Sequence, residues 1–277
     1  MYDYDIDALG CQLGDKEYKS EYLSPLDTPA IDSISVESSA SEKPVYICVT
    51  THDNEPEPTY YKWSYREIWE FNADLFANAG YLNDKFYMFE RHTSQNTYYC
   101  WGRDSSKVML LATTDKLTEN LIYEKKLIEI PRDHDKLKIL YYIEVKQNRI
   151  RKGAYAYFEN MQRNIEQAGS IFSPIPAEMR GNIVCVSDPK EWVLGYVDVT
   201  NTTIMKRFMP ELRDLYQASY DCAKNIFTGM APDGYTYYIY SGTPTVPNLY
   251  APIRCVDCTY DGRGTKNKPS WWPTDHL

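Results

Sequence analysis

The stretch Tyr60-Tyr61-Lys62-Trp63-Ser64-Tyr65-Arg66-Glu67-Ile68-Trp69-Glu70-Phe71 decides the fold class of this chain. Side chains two residues apart lie on the same face of a β-strand. A strand here therefore places five aromatic rings on one face: Tyr61, Trp63, Tyr65, Trp69 and Phe71. So much aromatic surface needs a cover, which is either a second sheet or a partner.

The same strand supplies the candidate binding residues. Tyrosine is abundant, with 26 Tyr against 8 Phe and 6 Trp, and tyrosine is typical of half-buried sheet faces as well as of binding surfaces. Arg66 lies on the face opposite the rings, where it pairs with a carboxylate in a cross-strand ion pair or anchors a ligand. The candidates for binding a ligand or partner are Tyr61, Trp63, Tyr65, Arg66 and Trp69. If the rings are all buried, they form a core instead.

Other segments extend this prediction to the whole chain. Alternating or β-branched residues predict strands at 31–36, 45–50, 85–90, 97–101, 108–113, 121–130, 139–145, 182–186, 193–199 and 235–240. One helix is predicted over 153–168, since its apolar residues step by three and four and Gly169 follows. A short helix is predicted over 209–216, with Pro210 in its first turn. The pattern indicates a mainly β fold, an antiparallel immunoglobulin-like β-sandwich with one packed α-helix.

The first 30 residues indicate the end of a preceding unit. Tyr2–Asp7 alternates as a strand does, Gly14 and Asp15 predict a turn, and a second strand follows, which makes a hairpin. Pro25 and Pro29 predict an extended linker. We expect residues 1–30 to be the C-terminal remnant of an N-terminal β-domain plus linker, and residues 31–277 to be the main β-sandwich domain.

The beginning of the sequence bears on export. Met1–Asp7 is acidic, whereas export signals begin basic and then turn apolar. Ala8-Leu9-Gly10-Cys11 resembles a lipoprotein processing site but lacks the apolar stretch that precedes one. We therefore reject Cys11 as a lipid-carrying residue. That the chain is a truncated or late-started form of a longer protein is an expectation that rests on the family resemblance given below.

Charge excludes some classes of partner. The net charge is −9, and no basic stripe is present. Wrapping nucleic acid, or docking on anionic lipid through charge, needs clustered Lys and Arg. No segment reaches the roughly 18 apolar residues that a transmembrane helix requires.

No strong catalytic motif is present. The sequence contains no HExxH, no G-x-S-x-G and no phosphate loop, so we expect no catalytic residue, no metal and no cofactor. A carboxylate- or metal-dependent hydrolase is kept as an alternative, because 39 acidic residues make paired carboxylates inevitable.

The cysteine pair Cys255-x-x-Cys258 favours structural disulfides. Gly262, Gly264 and Pro269 follow it, which disfavours the helix of a thioredoxin-like site, and no second C-x-x-C completes a zinc site. The disulfide candidates are Cys100, Cys185, Cys222, Cys255 and Cys258, with the connectivity open.

Several ordered motifs carry a family resemblance. They are the aromatic run 60–71, the strand that follows Cys100 (105–114), the pair of segments 154–158 and 169–176, the segment 181–189 with 195–196, and the closing run 255–273. This order resembles an uncharacterised family of Bacteroidota cell-envelope lipoproteins, domain of unknown function 4249, encoded beside TonB-dependent outer-membrane transporters.

The resemblance implies a location and a partner. We expect an oxidising compartment, at the outer membrane or cell surface, with membrane contact only through a lipid anchor that this sequence lacks. The expected function is that of a non-enzymatic accessory protein that assists a TonB-dependent transporter in nutrient capture, with a glycan or peptide as ligand. The alternative is a surface adhesion or structural β-module without a small ligand.

Overall fold

Antiparallel β-sheets dominate the structure. The computed structural model describes residues 10–39, 43–76, 79–82, 85–88, 97–167, 180–219, 222, 227–228, 237–239 and 249–274. The strands are β1 (Gly10–Leu13), β2 (Lys16–Ser20), β3 (Ser33–Glu37), β4 (Val45–His52), β5 (Tyr60–Asn72), β6 (Ala79–Leu82), β7 (Lys85–Met88), β8 (Tyr99–Ser105), β9 (Leu110–Thr113), β10 (Leu121–Ile130), β11 (Leu140–Arg149), β12 (Ile183–Cys185), β13 (Thr203–Met209), β14 (Phe227–Thr228), β15 (Tyr237–Ile239) and β16 (Leu249–Ala251). The helices are α1 (Lys152–Gln167) and α2 (Ile253–Val256), with 3-10 turns at Asp135–Leu137, Pro210–Leu215 and Tyr260–Gly262.

Two sheets enclose the main core. The larger, called the central sheet, has the order β13-β11-β5-β8, and β9 also pairs with β5. The smaller has the order β10-β4-β3. Ile34, Ile47 and Val49 of the smaller sheet join Ile143 and Val145 of the central sheet in one buried cluster. This sandwich-like pairing arises because each strand presents apolar side chains at every second position.

Two further sheets consist of short strands. The hairpin β1-β2 pairs with β12, so residues 10–20 contact a segment more than 160 positions away in sequence. The other sheet has the order β14-β16-β15-β6-β7. The predicted strand at 2–7 lies outside the described residues, and the first strand of the described hairpin is β1 instead.

Helix α1 packs by its first turns. Ala154 is fully buried and lies with Tyr60 and Ile150 in a cluster that Phe158 partly covers, whereas Ile165 is exposed. The prediction of one main helix at this place in a mainly β, antiparallel chain is confirmed.

One predicted strand is absent from the structure, and one strand of the structure was not predicted. The segment 193–199 forms no strand in the structure. Gly195 adopts a φ of +138°, and the Asn182 side chain pairs with both the N–H and the C=O of Val197, in place of a neighbouring strand. Conversely, β13 was missed, because its sequence Thr-Ile-Met-Lys-Arg-Phe-Met shows no clean alternation.

Two disulfides join distant segments. Cys100 bonds to Cys258 and Cys222 bonds to Cys255. The prediction that Cys185 also takes part is wrong, since its thiol is free and buried. Its place in the short strand β12 puts it beside Tyr18 of β2 rather than beside another cysteine.

Candidate binding face on the central sheet

The aromatic residues of β5 face the core. Tyr61 and Phe71 are fully buried, Trp63 is 1% exposed and Trp69 is 7% exposed, while Tyr65 is partly buried. The face that they share packs against the smaller sheet, the turn at 134–137 and residues 258–264. This burial corrects the prediction that these rings offer a binding surface, because the rings of Tyr61, Trp63 and Trp69 are withdrawn from solvent by core packing.

Several polar atoms on this inner face are hydrogen-bonded within the protein, whereas the buried Trp69 Nε1–H has no hydrogen-bond partner among the described residues. The Trp63 Nε1–H donates to Gln147 Oε1 at 2.8 Å, and Gln147 Nε2–H donates to Thr51 Oγ1 at 3.0 Å. This chain of hydrogen bonds joins the two sheets. Burial raises the pKa of Tyr61 to about 12 and that of Tyr65 to about 12.

A charged group is buried among the rings. Glu67 is 1% exposed; its Oε1 lies 2.6 Å from Lys136 Nζ, and its Oε2 accepts from the Tyr141 hydroxyl. The Lys136 Nζ also lies 5.0 Å from the centre of the Trp69 ring. Burial, followed by the charge of Glu67, raises the pKa of Tyr141 well above its usual value. These groups compensate each other and so are suited to holding the inner face together.

The opposite face of the central sheet carries different chemistry. The register places Arg66 beside Glu144 of β11, and Glu144 beside Lys206 of β13. Arg66 Nη2 lies 2.8 Å from Glu144 Oε1, and Lys206 Nζ lies 3.6 Å from Glu144 Oε2. Arg66 therefore makes the predicted cross-strand pair, with Glu144 as its partner. The Arg66 side chain is 68% exposed, so its fork also faces solvent.

An aromatic group lies next to these charges. The Tyr142 ring centroid lies 4.7 Å from that of Trp271 and 4.9 Å from that of Phe208. Trp271 is 51% exposed and belongs to the closing segment of the chain, residues 255–274. Its neighbour Trp272 is buried and donates from Nε1 to Glu70 Oε2 at 2.7 Å. One tryptophan thus covers part of the sheet, and the other borders the part left open.

The open part is a cleft, which we call the outer cleft. Its volume is about 840 Å³, and the residues that line it and carry its chemistry are Arg66, Arg103, Asp104, Tyr142, Glu144, Lys206 and Trp271. This volume lies in the range of small-ligand sites. Three cationic and two anionic side chains beside an aromatic group give it hydrogen-bond donors, acceptors and an apolar surface.

The closing segment is fixed on the sheet by several contacts. The disulfide ties Cys258 to Cys100 of β8, and the backbone of Thr265 pairs with that of Trp101. Gly264 approaches Phe71 so closely that an added Cβ would lie 2.7 Å from its ring. Arg103 Nη2 donates to the Asn267 carbonyl at 3.3 Å. Trp271 is therefore positioned by a stapled segment rather than by a free end.

A second pocket of about 480 Å³ lies beside the turn at 131–138. Lys138 Nζ lies 2.8 Å from Asp74 Oδ1 and 3.0 Å from Asp135 Oδ1, and Arg263 binds Asp135 with two nitrogens at 2.9 Å each. Burial lowers the pKa of Lys138, but the charges of Asp135 and Asp74 outweigh it, so its pKa is raised. Asp74 and Asp135 are therefore bound in an ion network that connects the turn to the closing segment.

His134 borders the same pocket. Its Nδ1 accepts from the Lys136 backbone N–H at 3.1 Å and so caps the 3-10 turn. Burial, followed by the positive charge of Lys136, lowers the pKa of His134. A neutral ring is what the cap requires, because only an unprotonated nitrogen accepts a hydrogen bond.

Of the sequence-predicted binding residues, the structure brings only Arg66 to the outer cleft. Sequence reasoning missed Arg103, Tyr142, Glu144, Lys206 and the role of Trp271. Tyr142 and Glu144 alternate with the buried Tyr141 and Ile143 along β11, which is the signal that places them on the opposite face. Lys206 was missed together with its strand.

Two features are absent from the described residues. In the ranges that the structure describes, no three His, Cys, Asp or Glu side chains are grouped so that they would hold a metal ion. Of the described helices, none has both the length and the apolar character needed to cross a membrane.

Comparison with known proteins gives the family. No curated protein and no solved structure matches the chain. A family model described as a domain of unknown function, DUF4249, matches residues 9–205. The match includes Arg66, Arg103, Tyr142 and Glu144, whereas Trp271 and the rest of the closing segment lie beyond it. Because the matched residues make up more than two thirds of the sequence, the chain belongs to the DUF4249 family.

Proposed function

We propose that this protein is a non-enzymatic accessory protein of the cell envelope that assists a TonB-dependent outer-membrane transporter in nutrient capture, and that the outer cleft is its binding site. The envelope location and the transporter partner rest on the resemblance to the lipoprotein family described above. The two disulfides are consistent with an oxidising compartment.

One observation carries the choice of surface. Trp271 belongs to the closing segment, which the Cys100–Cys258 disulfide ties to β8, yet about half of the residue stays exposed beside a charged cleft. The ring already packs against Tyr142 on one side, and covering its exposed part as well would remove further apolar area from water. Exposed aromatic area next to positioned charges is typical of binding sites.

The second pocket gives less support to a hydrolase. A general acid or base must have a carboxyl or imidazole group that is free to exchange a proton with substrate. Asp74 and Asp135 are both bound to Lys138, and Asp135 also to Arg263. The ring nitrogen of His134 is used by a backbone N–H. These groups act as parts of the fold.

The function is tested by co-purification from the native host. The full-length protein is tagged and recovered in mild detergent in three forms: wild type, Trp271→Ala and Trp192→Ala. Trp192 is the matched control, because it is 53% exposed and lies outside the outer cleft. We expect the transporter to be recovered with wild type and Trp192→Ala, and to be depleted with Trp271→Ala. Recovery of no transporter with wild type would contradict the proposal.

A structural or adhesion β-module without a small ligand is the second candidate. The burial of Trp63 and Trp69 favours it, because the aromatic residues of β5 then serve the core alone. For such a module, Trp271→Ala and Trp192→Ala recover the same partners as wild type.

A further inference from the structure

We propose that the outer cleft binds an oligosaccharide that carries carboxylate groups, with a sugar ring on Trp271 and a carboxylate at Arg66 and Lys206. This inference rests on the proposed function and names the ligand class of its site. Three observations support it: the local charge, the aromatic surface and the position of the cleft on a sheet face.

The first observation is a local excess of positive charge. The whole chain has a net charge of −9, but Arg66, Arg103 and Lys206 line the cleft against Glu144 and Asp104. Glu67 also lines it, but its carboxylate is buried and paired with Lys136. One carboxylate, Glu144, is shared by Arg66 and Lys206. Asp104 is already bound by Lys107 at 3.1 Å.

This arrangement favours an anionic ligand group. Arg66 and Lys206 share one carboxylate, that of Glu144. A ligand carboxylate would give the two cations a second anionic partner. The planar fork of arginine is well suited to bind it. The Arg66 and Lys206 side chains are 68% and 61% exposed, so a ligand reaches them without displacing the protein's own contacts.

The second observation is the aromatic surface. Trp271 is exposed on one side and packed on the other against Tyr142 and Phe208, with centroid distances of 4.7 and 6.0 Å. A rigid ring of this kind offers a flat apolar surface for the C–H face of a sugar. The sugar hydroxyls need donors and acceptors close together, and the cleft provides both.

The third observation disfavours a peptide. An extended peptide binds a sheet through an unpaired edge strand, where backbone groups are free. The cleft lies over the face of β5, whose backbone is paired with β8 on one side and β11 on the other. Over β5 and β11 the ligand therefore meets side chains and not free backbone groups, and that suits a sugar better than a peptide backbone.

The proposal is tested with defined probes on the full chain. Titration calorimetry measures binding of galacturonate, glucuronate and mannuronate trimers and of the methyl ester of the best binder. The ester keeps the sugar but removes the charge. We expect at least one acidic trimer to bind, and its ester to bind at least about tenfold more weakly, which corresponds to about 1.4 kcal/mol.

Variants connect binding to the cleft. Trp271→Ala and the pair Arg66→Gln/Lys206→Gln are each expected to weaken binding about tenfold or more. Trp192→Ala and Lys116→Gln are the controls and should bind as wild type does, since both residues are exposed elsewhere. Circular dichroism of each variant shows that it is folded.

Each opposing result has one meaning. If no acidic trimer binds, or if the ester binds equally well, the ligand class is wrong. Hexaglutamate bound as tightly as the best trimer would assign the cleft to acidic peptides instead. If the trimers fail while Trp271→Ala still depletes the transporter, the ligand inference falls and the proposed function stands. If wild type recovers no transporter, the proposed function falls by itself.

Discussion

The two faces of β5 differ although they come from the same 13 residues. The inner face holds Trp63, Glu67 and Trp69, which are all buried and all in contact with other strands or turns. The outer face holds Arg66, which is mostly exposed and paired only with a charge on the next strand. Residues adjacent in sequence therefore have different roles, because a strand alternates its side chains between two environments.

This difference separates structure from function. Aromatic residues were the most visible feature of the strand, and they build the core. The outer face, with fewer aromatic residues of its own, gains its binding chemistry from β11, β13 and the closing segment. The aromatic residues that stand out in the sequence thus predict core packing. The residues of the cleft depend instead on which strands are neighbours in the sheet.

The largest expected effect tests the inner face. Replacing Glu67 by Leu leaves the Lys136 ammonium buried without its partner, which costs about 3–5 kcal/mol of the free energy of unfolding. Replacing its neighbour Arg66 by Ala removes an ion pair whose guanidinium is mostly exposed, and the buried Glu144 keeps Lys206 beside it, so we expect a smaller cost of about 1 kcal/mol. Urea unfolding of the two variants measures both values.

A double variant makes this comparison sharper. Glu67→Leu combined with Lys136→Met removes both charges, so it should be more stable than Glu67→Leu alone. Equal destabilisation by Glu67→Leu and Arg66→Ala would show that the two faces of β5 are not as different as the structure indicates.

The next effect concerns the staple that holds the closing segment. Removing Cys100–Cys258 by serine substitution at both positions should cost about 2–5 kcal/mol. The Cys222–Cys255 bond closes a span of 33 residues rather than 158, so its loss should cost about 1.4 kcal/mol less in the chain-entropy model. Thermal or denaturant unfolding of the two double variants gives the order.

The same pair of double variants also tests whether the Cys100–Cys258 disulfide holds Trp271 in place. Loss of Cys100–Cys258 should also loosen Trp271, and acrylamide quenching of tryptophan fluorescence should rise more than in the other double variant. An unchanged quenching profile would indicate that the contacts of Trp272 and Thr265 hold the closing segment without the disulfide.

The smallest effect is a pH dependence at the turn beside the inner face. The pKa of His134 is lowered in the fold, so the unfolded chain binds more protons as the pH falls below about 6.5. His134 therefore makes stability fall with falling pH. The hydrogen bond to Asp32 raises the pKa of His52. His52 therefore has the opposite effect: its contribution to the free energy of unfolding is lost as the pH rises through the pKa that it has in the fold.

A substitution isolates the contribution of His134. Asn at this position keeps an acceptor for the Lys136 N–H but does not titrate. We expect His134→Asn to show a smaller loss of stability than wild type between pH 7 and pH 5, measured by denaturant midpoints. A steeper loss in the variant would contradict the assignment of His134 as a neutral cap.

Much of the fold was predictable because its signals are local. Each of three signals lies within one segment of sequence: the alternation in β5, the long strand at 121–130, and the apolar stripe of helix α1. The 3-10 turn at Pro210–Leu215 follows from a proline in the first turn. The disulfide residues Cys100, Cys222, Cys255 and Cys258 were also found, whereas their pairing needs three-dimensional information.

The cleft was less predictable because its signals are not local. Glu144, Lys206 and Trp271 come from three separate segments and meet only through strand register and the staple. The error at 193–199 has the same origin, since the Asn182 side chain takes the hydrogen bonds that a neighbouring strand would supply. Residue type alone does not show which side chain will form hydrogen bonds with the backbone in place of a neighbouring strand.

Hydroxyl-radical footprinting tests most directly whether the inner face of β5 builds the fold while the outer face binds a ligand or partner. The tagged protein is oxidised alone and in complex with the co-purified transporter or the best-binding acidic trimer. We expect Trp271 to be oxidised rapidly in the free protein and protected in the complex, Trp192 to be oxidised equally in both, and Trp63 to stay unoxidised throughout. Oxidation of Trp63 in the free protein, or a complex that leaves Trp271 as reactive as before, would contradict this expectation.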